Sequence, residues 1–200
     1  VQEHHEHIIE LIAEINSYGY TILFNELFHA YNWMIEDYIN GDIDFLPECV
    51  RFFDNIIIEN LKLINQNLNE DSKIRLIYMD VNHWTDNFIN SICESEKVLG
   101  DQTIFNTIKA TEVDSQEYLD ELIRLLADLD FQKEKYMYLW GEKWYYRYAE
   151  MIEVEIESSK YRNNNDIELR EITMFNIIKN NIAKYNPEKV LTVIYLDKNI

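Results

Sequence analysis

The chain has 200 residues, 47% of them hydrophobic, with 18 Lys and Arg against 37 Asp and Glu and a formal net charge of −19. That length suits a single domain with a sizeable core, and apolar residues recurring in helical registers exclude a disordered polyacid. The acidity counts against direct nucleic-acid binding, since phosphate-backbone affinity comes from Lys and Arg displacing counterions, and no run approaches the ~18 apolar residues of a membrane span.

With only four glycines and two prolines, helix should dominate. The first is expected from about His4 to Ser17, where Ile8, Leu11, Ile12 and Ile15 share one face and Tyr18-Gly19 supplies the stop. Tyr20 to Phe24 follows as a β-branched and aromatic run of strand length. A second helix is expected from Phe28 to Asn40, ended by Gly41, and a third from about Pro47 to Asn69 with proline in its first turn. Lys73 to Met79 repeats the strand pattern. Helical periodicity returns over about Asp86 to Leu99, then from Ser115 to about Asp130, with Leu119, Leu122, Ile123 and Leu126 on one face.

Between Lys133 and Arg162 the spacing predicts one long helix, with Tyr136, Met137, Trp140, Trp144, Tyr148, Met151 and Ile152 in a single stripe. Helix packing accounts for that stripe, and an aromatic ligand box or haem pocket is the sharper alternative. Asn163 to Asp166 breaks the helix, Asn165 and Glu168 fit a capping box for the next one, to about Lys184, and Val190 to Tyr195 is a third strand candidate. Cys49 and Cys93 make neither a zinc pattern nor a disulfide framework and read as buried free thiols. With no signal-peptide core at the start, the expected location is cytoplasmic.

Three short apolar strands separated by helices predict a helix-rich α/β fold, a small and mostly parallel sheet flanked by long helices. The expected organisation is one domain with a helical insert over about residues 86–165. In such sheets function gathers beyond the strands' carboxyl ends, where Asn25 and Glu26, then Asp80, Asn82 and His83, then Asp197 and Lys198 follow the three runs. The densest chemical cluster is Glu3-His4-His5-Glu6-His7. Its imidazoles and carboxylates can hold a divalent metal or provide a general base with an orienting acid. His4, His5, His7 and Asp80 are therefore the candidate metal ligands. Plainer readings stand beside these: a solvated His-rich segment, Glu26 and Asp80 as helix caps, His83 beside Trp84 as a surface or packing residue, and Arg170 as one half of a surface ion pair.

The order of elements resembles the erythromycin esterase-like and Tiki/TraB/ChaN group. Gln2-Glu3-His4-His5 is similar to that group's Gly-Glu-x-His, with Gln for Gly, and Glu26 matches a Glu ending the second strand. Asp37 to Gly41 is similar to the helix end that follows in erythromycin esterases, Arg75 to Asp80 looks like a third strand ending in Asp, and Arg170-Glu171-Ile172-Thr173-Met174 is similar to an Arg-(Asp/Asn)-x-x-Met signature. The His that such families carry after the last strand has no counterpart in Tyr195 to Ile200. The resemblance implies a hydrolase acting on a small-molecule or peptide substrate, by His/Glu-based or metal-assisted water activation, or a haem-linked relative. It implies His5 as ligand or general base, Glu3 and Glu26 as its carboxylate partners, and Arg170 as the cation that orients a carboxylate or an oxyanion. The rival expectation is a non-enzymatic acidic protein that binds a basic partner, including a nucleic-acid mimic.

Overall fold

In the computed structural model, which describes residues 10–12, 14, 16–50, 55–84, 86–100 and 102–193, the apolar runs become strands β1 (Tyr20–Phe28), β2 (Arg75–Asp80) and β3 (Lys189–Val193). They form a parallel sheet in the order β2-β1-β3, and a register shift between Tyr20 and Ile22 sets Ile22 against Val190 and Phe24 against Thr192. The helices are α1 (Asn32–Asn40), α2 (Asn55–Asn65), α3 (Asp86–Leu99), α4 (Asn106–Ala110), α5 (Gln116–Phe131), α6 (Lys133–Trp140), α7 (Glu142–Asn164) and α8 (Ile167–Tyr185). Residues 10–12, 14 and 16 are also helical. The α/β class is as expected from the alternation of strand and helix periods.

The chain divides into two compact units: the described residues of Val1–Leu27, Tyr31–Met79 and Asn176–Ile200, and those of Phe28–Ala30 and Asp80–Phe175. The insert expected over residues 86–165 falls inside the second. In the first unit, Ile22, Leu23 and Phe24 of β1 and Leu76 to Met79 of β2 are buried, as are Met34, Ile35, Ile58 and Leu61 of α1 and α2. Strands covered on both faces read as unbroken apolar runs for this reason.

β2 lies at a sheet edge, where backbone groups have no ladder partner. Two asparagines from the neighbouring helices supply one. The Asn32 side chain donates to the Tyr78 carbonyl at 2.8 Å and accepts from the Tyr78 N–H at 2.6 Å. Asn65 brackets Ile74 in the same way, with both bonds at 2.9 Å.

In the second unit the aromatic stripe packs as core. Tyr148 is fully buried, with ring centroids of Phe105, Trp140 and Trp144 at 4.9, 5.0 and 5.6 Å, and its hydroxyl lies 2.9 Å from Ser95 Oγ. The single long helix expected here is instead two, divided at Gly141, whose φ of 79° and ψ of 158° belong to a region that is essentially glycine-only. Other local expectations shift for similar reasons. Asn165, expected as an N-cap, takes the left-handed conformation that ends α7, and Asp166 Oδ1 accepts from Leu169 N at 3.1 Å in its place. The buried face of α5 is Tyr118, Leu122, Leu125 and Leu129, since this helix is apolar over a wider arc than one stripe, and Ile123 is exposed. Cys93 is exposed and Cys49 half-buried, so neither is a core thiol; on α3 it is Phe88, Ser91, Ile92 and Ser95 that face inward. Among the described residues no helix is long and apolar enough to cross a membrane.

Replacing Asn65 by Leu leaves the buried Ile74 N–H and C=O unpaired, and the expected loss is about 1–3 kcal/mol of folding free energy. Urea unfolding of the two proteins checks this; equal midpoints would show that the edge does not need the amide.

Candidate functional site

Of the expected site residues, Glu3, His4, His5 and His7 lie outside the described residues. Glu26 sits near the end of β1, half-buried, in the first unit. Asp80 and Arg170 are brought together in the second. Asp80 is the last residue of β2, and Arg170 lies in the first turns of α8; Arg170 Nε is 2.8 Å from Asp80 Oδ1 and Nη2 2.6 Å from Oδ2. The guanidinium expected to meet a substrate anion therefore already holds a protein carboxylate, bidentately, the geometry in which that fork is best satisfied.

His83, three residues on, completes the cluster. Its Nε2 is 2.9 Å from Asp80 Oδ2, and its side chain is 31% exposed against 5% for Asp80. Burial pushes the Asp80 carboxyl up, but the hydrogen bonds and charges of His83 and Arg170 outweigh it and hold the group below its ordinary value. An ionised carboxylate only accepts, so the Nε2 of His83 carries a proton and donates the hydrogen bond to Oδ2; in the neutral imidazole the lone pair then lies on Nδ1. The imidazole is flanked by Phe28, at 5.7 Å between centroids, and by Tyr161, edge-on at 5.4 Å.

The turn that carries His83 is fixed by Asn82, whose polar groups are taken up by three residues of α7 and by Ala30. Its N–H donates to Ser158 Oγ at 2.9 Å, its Oδ1 accepts from Ala30 N at 3.1 Å, its Nδ2 donates to Glu155 Oε2 at 2.8 Å, and its carbonyl accepts from Arg162 Nη1. Glu155 is fully buried and also accepts from Tyr118 Oη at 3.0 Å and Arg162 Nη2 at 2.7 Å. Burial pushes its carboxyl up, against the pull of Arg162, Asn82 and Tyr118. Arg162 continues to Asp114, with Nη2 2.7 Å from Oδ1. Burial lowers its own affinity for the proton, yet Asp114 and Glu155 together raise it above the ordinary value.

A second histidine follows β1 directly. His29 is buried, with Nε2 3.2 Å from Glu150 Oε1. It is not among the residues that the sequence singles out, nor are Glu155, Arg162 and Tyr118; His83 is, as one of the polar residues after the second strand, with a surface or packing role as its plainer reading. Position after a strand was the signal available for both histidines. Among the described residues no group of three or more His, Cys, Asp or Glu side chains is arranged to hold a metal ion.

No protein-family model matches the chain, and no curated protein matches it. Two solved structures are similar in fold. One is a Bacillus cereus protein, with 15% identity and a TM-score of 0.61 over 92% of this chain and 52% of its own. The other is described as a succinoglycan biosynthesis protein, with 16% identity and a TM-score of 0.58 over 92% of this chain and 51% of its own. The chain thus spans about half the length of the structures it matches.

Because Asp80 ionises at lower pH in the folded than in the unfolded chain, its contribution to stability is present above the ordinary carboxylate range, about pH 4, and is lost as pH falls through the lower folded value. Asp80→Asn should therefore cost on the order of 3 kcal/mol near neutrality. The gap from wild type should narrow on acidification, which urea unfolding between about pH 3 and 7 would reveal. A gap independent of pH would contradict the charge assignment.

Proposed function

We propose that this chain is a hydrolase of the erythromycin esterase-like/Tiki type, with His83 as its general base and Asp80 as the orienting acid. One observation carries the reading: a half-exposed imidazole at the carboxyl end of a parallel strand, its Nε2 bound to a buried carboxylate that Arg170 holds from the other side. Ligand chemistry in open parallel sheets gathers at such strand ends. The order of strands, Glu26, Asp80 and Arg170 along the chain adds the support of the resemblance, and the two solved structures support the fold.

In this reading His83 Nδ1 takes a proton from water as the hydroxide adds to a carbonyl carbon. Asp80 stabilises the imidazolium that results, and that cation then delivers the proton to the leaving alkoxide as the acyl bond breaks. A base of this kind contributes roughly 10²–10⁴-fold. Asp80 is a positioning residue here, and Arg170 positions Asp80. Metal assistance would draw its ligands from His4, His5 and His7. A carbohydrate ester belongs among the substrates to try, since one of the similar structures is described as serving succinoglycan biosynthesis.

His83→Ala should lower kcat for an activated ester at least 100-fold, roughly the low end for loss of a general base, in a protein that is still folded although it has lost one hydrogen bond to Asp80. Undiminished turnover would reject the assignment. The charge of −19 supports a second reading, a cytoplasmic acidic protein that binds a basic protein partner. Its affinity for a lysine-rich probe peptide should fall steeply between about 50 and 500 mM salt, because screening shortens the Debye length from roughly 14 Å to roughly 4 Å. Salt-insensitive binding, or none, would remove it.

A further inference from the structure

At the amino ends of the three parallel strands, within the first unit, lies a cleft of about 690 Å³. Arg75, the first residue of β2, and Tyr185, the last of α8, both line it. The guanidinium of Arg75 lies over the Tyr185 ring, 4.6 Å from its centroid, a face on which a weakly hydrated cation rests well. The phenol is held in turn by its hydroxyl, which donates to Glu36 Oε1 at 3.4 Å. Arg75 is half-buried, yet among the described residues none of its N–H donors makes a hydrogen bond and no carboxylate pairs with it. Arg124, Arg162 and Arg170 each hold a carboxylate, so in a chain this acidic Arg75 stands apart from them.

Two carboxylates share the cleft with it and are equally uncommitted. Asp71 and Glu188 are exposed, and among the described residues neither enters a hydrogen bond or an ion pair. Glu188 Oε2 lies 3.5 Å from the position a Cβ would take on Gly19, so this carboxylate faces the turn that leads into β1. Glu70 and Lys189, at the same strand ends, are satisfied, the first by Lys73 and the second by the Tyr18 carbonyl at 2.7 Å. The open charges are one cation and two anions, and their signs select the ligand. A plain anion would be repelled by both carboxylates, a plain cation by the guanidinium, and a neutral molecule would leave the donors of Arg75 unmet. A molecule with one carboxylate and two ammonium groups meets all three.

We propose that this cleft binds a basic amino acid, with its carboxylate forked onto Arg75 and its two ammonium groups on Asp71 and Glu188. Nothing in it draws on the hydrolase reading, since every one of these residues belongs to the first unit and His83 to the second. The bidentate fit of guanidinium to carboxylate anchors the ligand and sets its direction, while the exposed acids, screened by water, contribute less. Loss of the Arg75 donors is worth roughly 10–100-fold in affinity, the usual range for hydrogen bonds to a charged group.

Calorimetric titration of the full chain at low ionic strength tests it, with L-lysine beside three probes that each carry only part of its charge. L-norleucine lacks the side-chain ammonium, cadaverine lacks the carboxylate, and acetate lacks both ammonium groups. L-lysine should saturate the protein, L-norleucine should bind more weakly, and cadaverine and acetate should give no saturable heat. Arg75→Gln should weaken L-lysine binding roughly 10–100-fold. Asp71→Asn combined with Glu188→Gln should abolish the preference for L-lysine over L-norleucine, and because both positions are exposed this variant keeps its fold even where Arg75→Gln does not. No saturable heat with L-lysine at tens of millimolar overturns the proposal. So does any partial probe that binds as tightly as L-lysine: cadaverine would reduce the cleft to an acidic surface, acetate to a simple anion site, and L-norleucine would leave one carboxylate without a role. L-lysine affinity unchanged in both variants would place the amino acid elsewhere on the chain and overturn it as well.

Discussion

A carboxylate with no solvent exposure is the constraint around which the second unit is arranged. Removing Glu155 from water costs several kcal/mol, and the cost is offset only because a guanidinium, a phenol and a carboxamide converge on its two oxygens. Those donors come from α7 itself, from α5 and from the turn after β2. The requirement that Glu155 be satisfied therefore fixes where that turn lies. Asp114 belongs to the same network: the residue takes a φ of 64°, uncommon outside glycine but tolerated by aspartate better than by most, and from there its carboxylate meets Arg162. The Asp80–His83 pair inherits its position from this network through Asn82, which sits between the two and has no polar group to spare.

The fold was legible wherever a single period ran long enough. Strand runs appear as unbroken apolar segments because both of their faces are covered, and α3 could be read to its terminal residues from its helical repeat. Boundaries that depend on backbone handedness were not legible. Gly141 stands inside a pattern that continues in phase on both sides, so the aromatic stripe reads as one helix although its backbone turns through a conformation closed to other residues. Asn165 can serve equally as an N-cap or as a left-handed C-cap, and only the demand of α7 for a terminator decides between them.

The site was legible in its parts but not in its pairing. Asp80 and Arg170 are 90 positions apart, and each has ordinary alternative partners in a chain so rich in acids. Nothing in periodicity brings them together. His83 was harder still, since a lone histidine beside a tryptophan is usually a packing residue, and its significance comes entirely from the carboxylate three residues back. The buried Glu155–Arg162 pair spans seven residues on one helix, a spacing that places both on the same face, yet in sequence it looks like two more charges on a solvated surface.

The acceptor capacity of Asp80 decides what kind of chemistry the cluster can perform. A carboxylate has about four lone-pair positions. Oδ1 receives Arg170 Nε and Val81 N, both at 2.8 Å, and Oδ2 receives Arg170 Nη2 at 2.6 Å and His83 Nε2 at 2.9 Å. With four donors in place, the oxygens have no remaining position for a metal ion or for a water to be deprotonated, unless one of those bonds is broken. Asp80 can therefore neither ligate nor act as base while the cluster stands. Its charge is expressed one atom chain further out, by fixing the neutral tautomer of His83 so that the lone pair lies on Nδ1, the nitrogen that the carboxylate does not use. The reactive capacity of this strand end thus lies on the partly exposed imidazole, and the buried groups behind it serve to hold it in one neutral tautomer and one orientation.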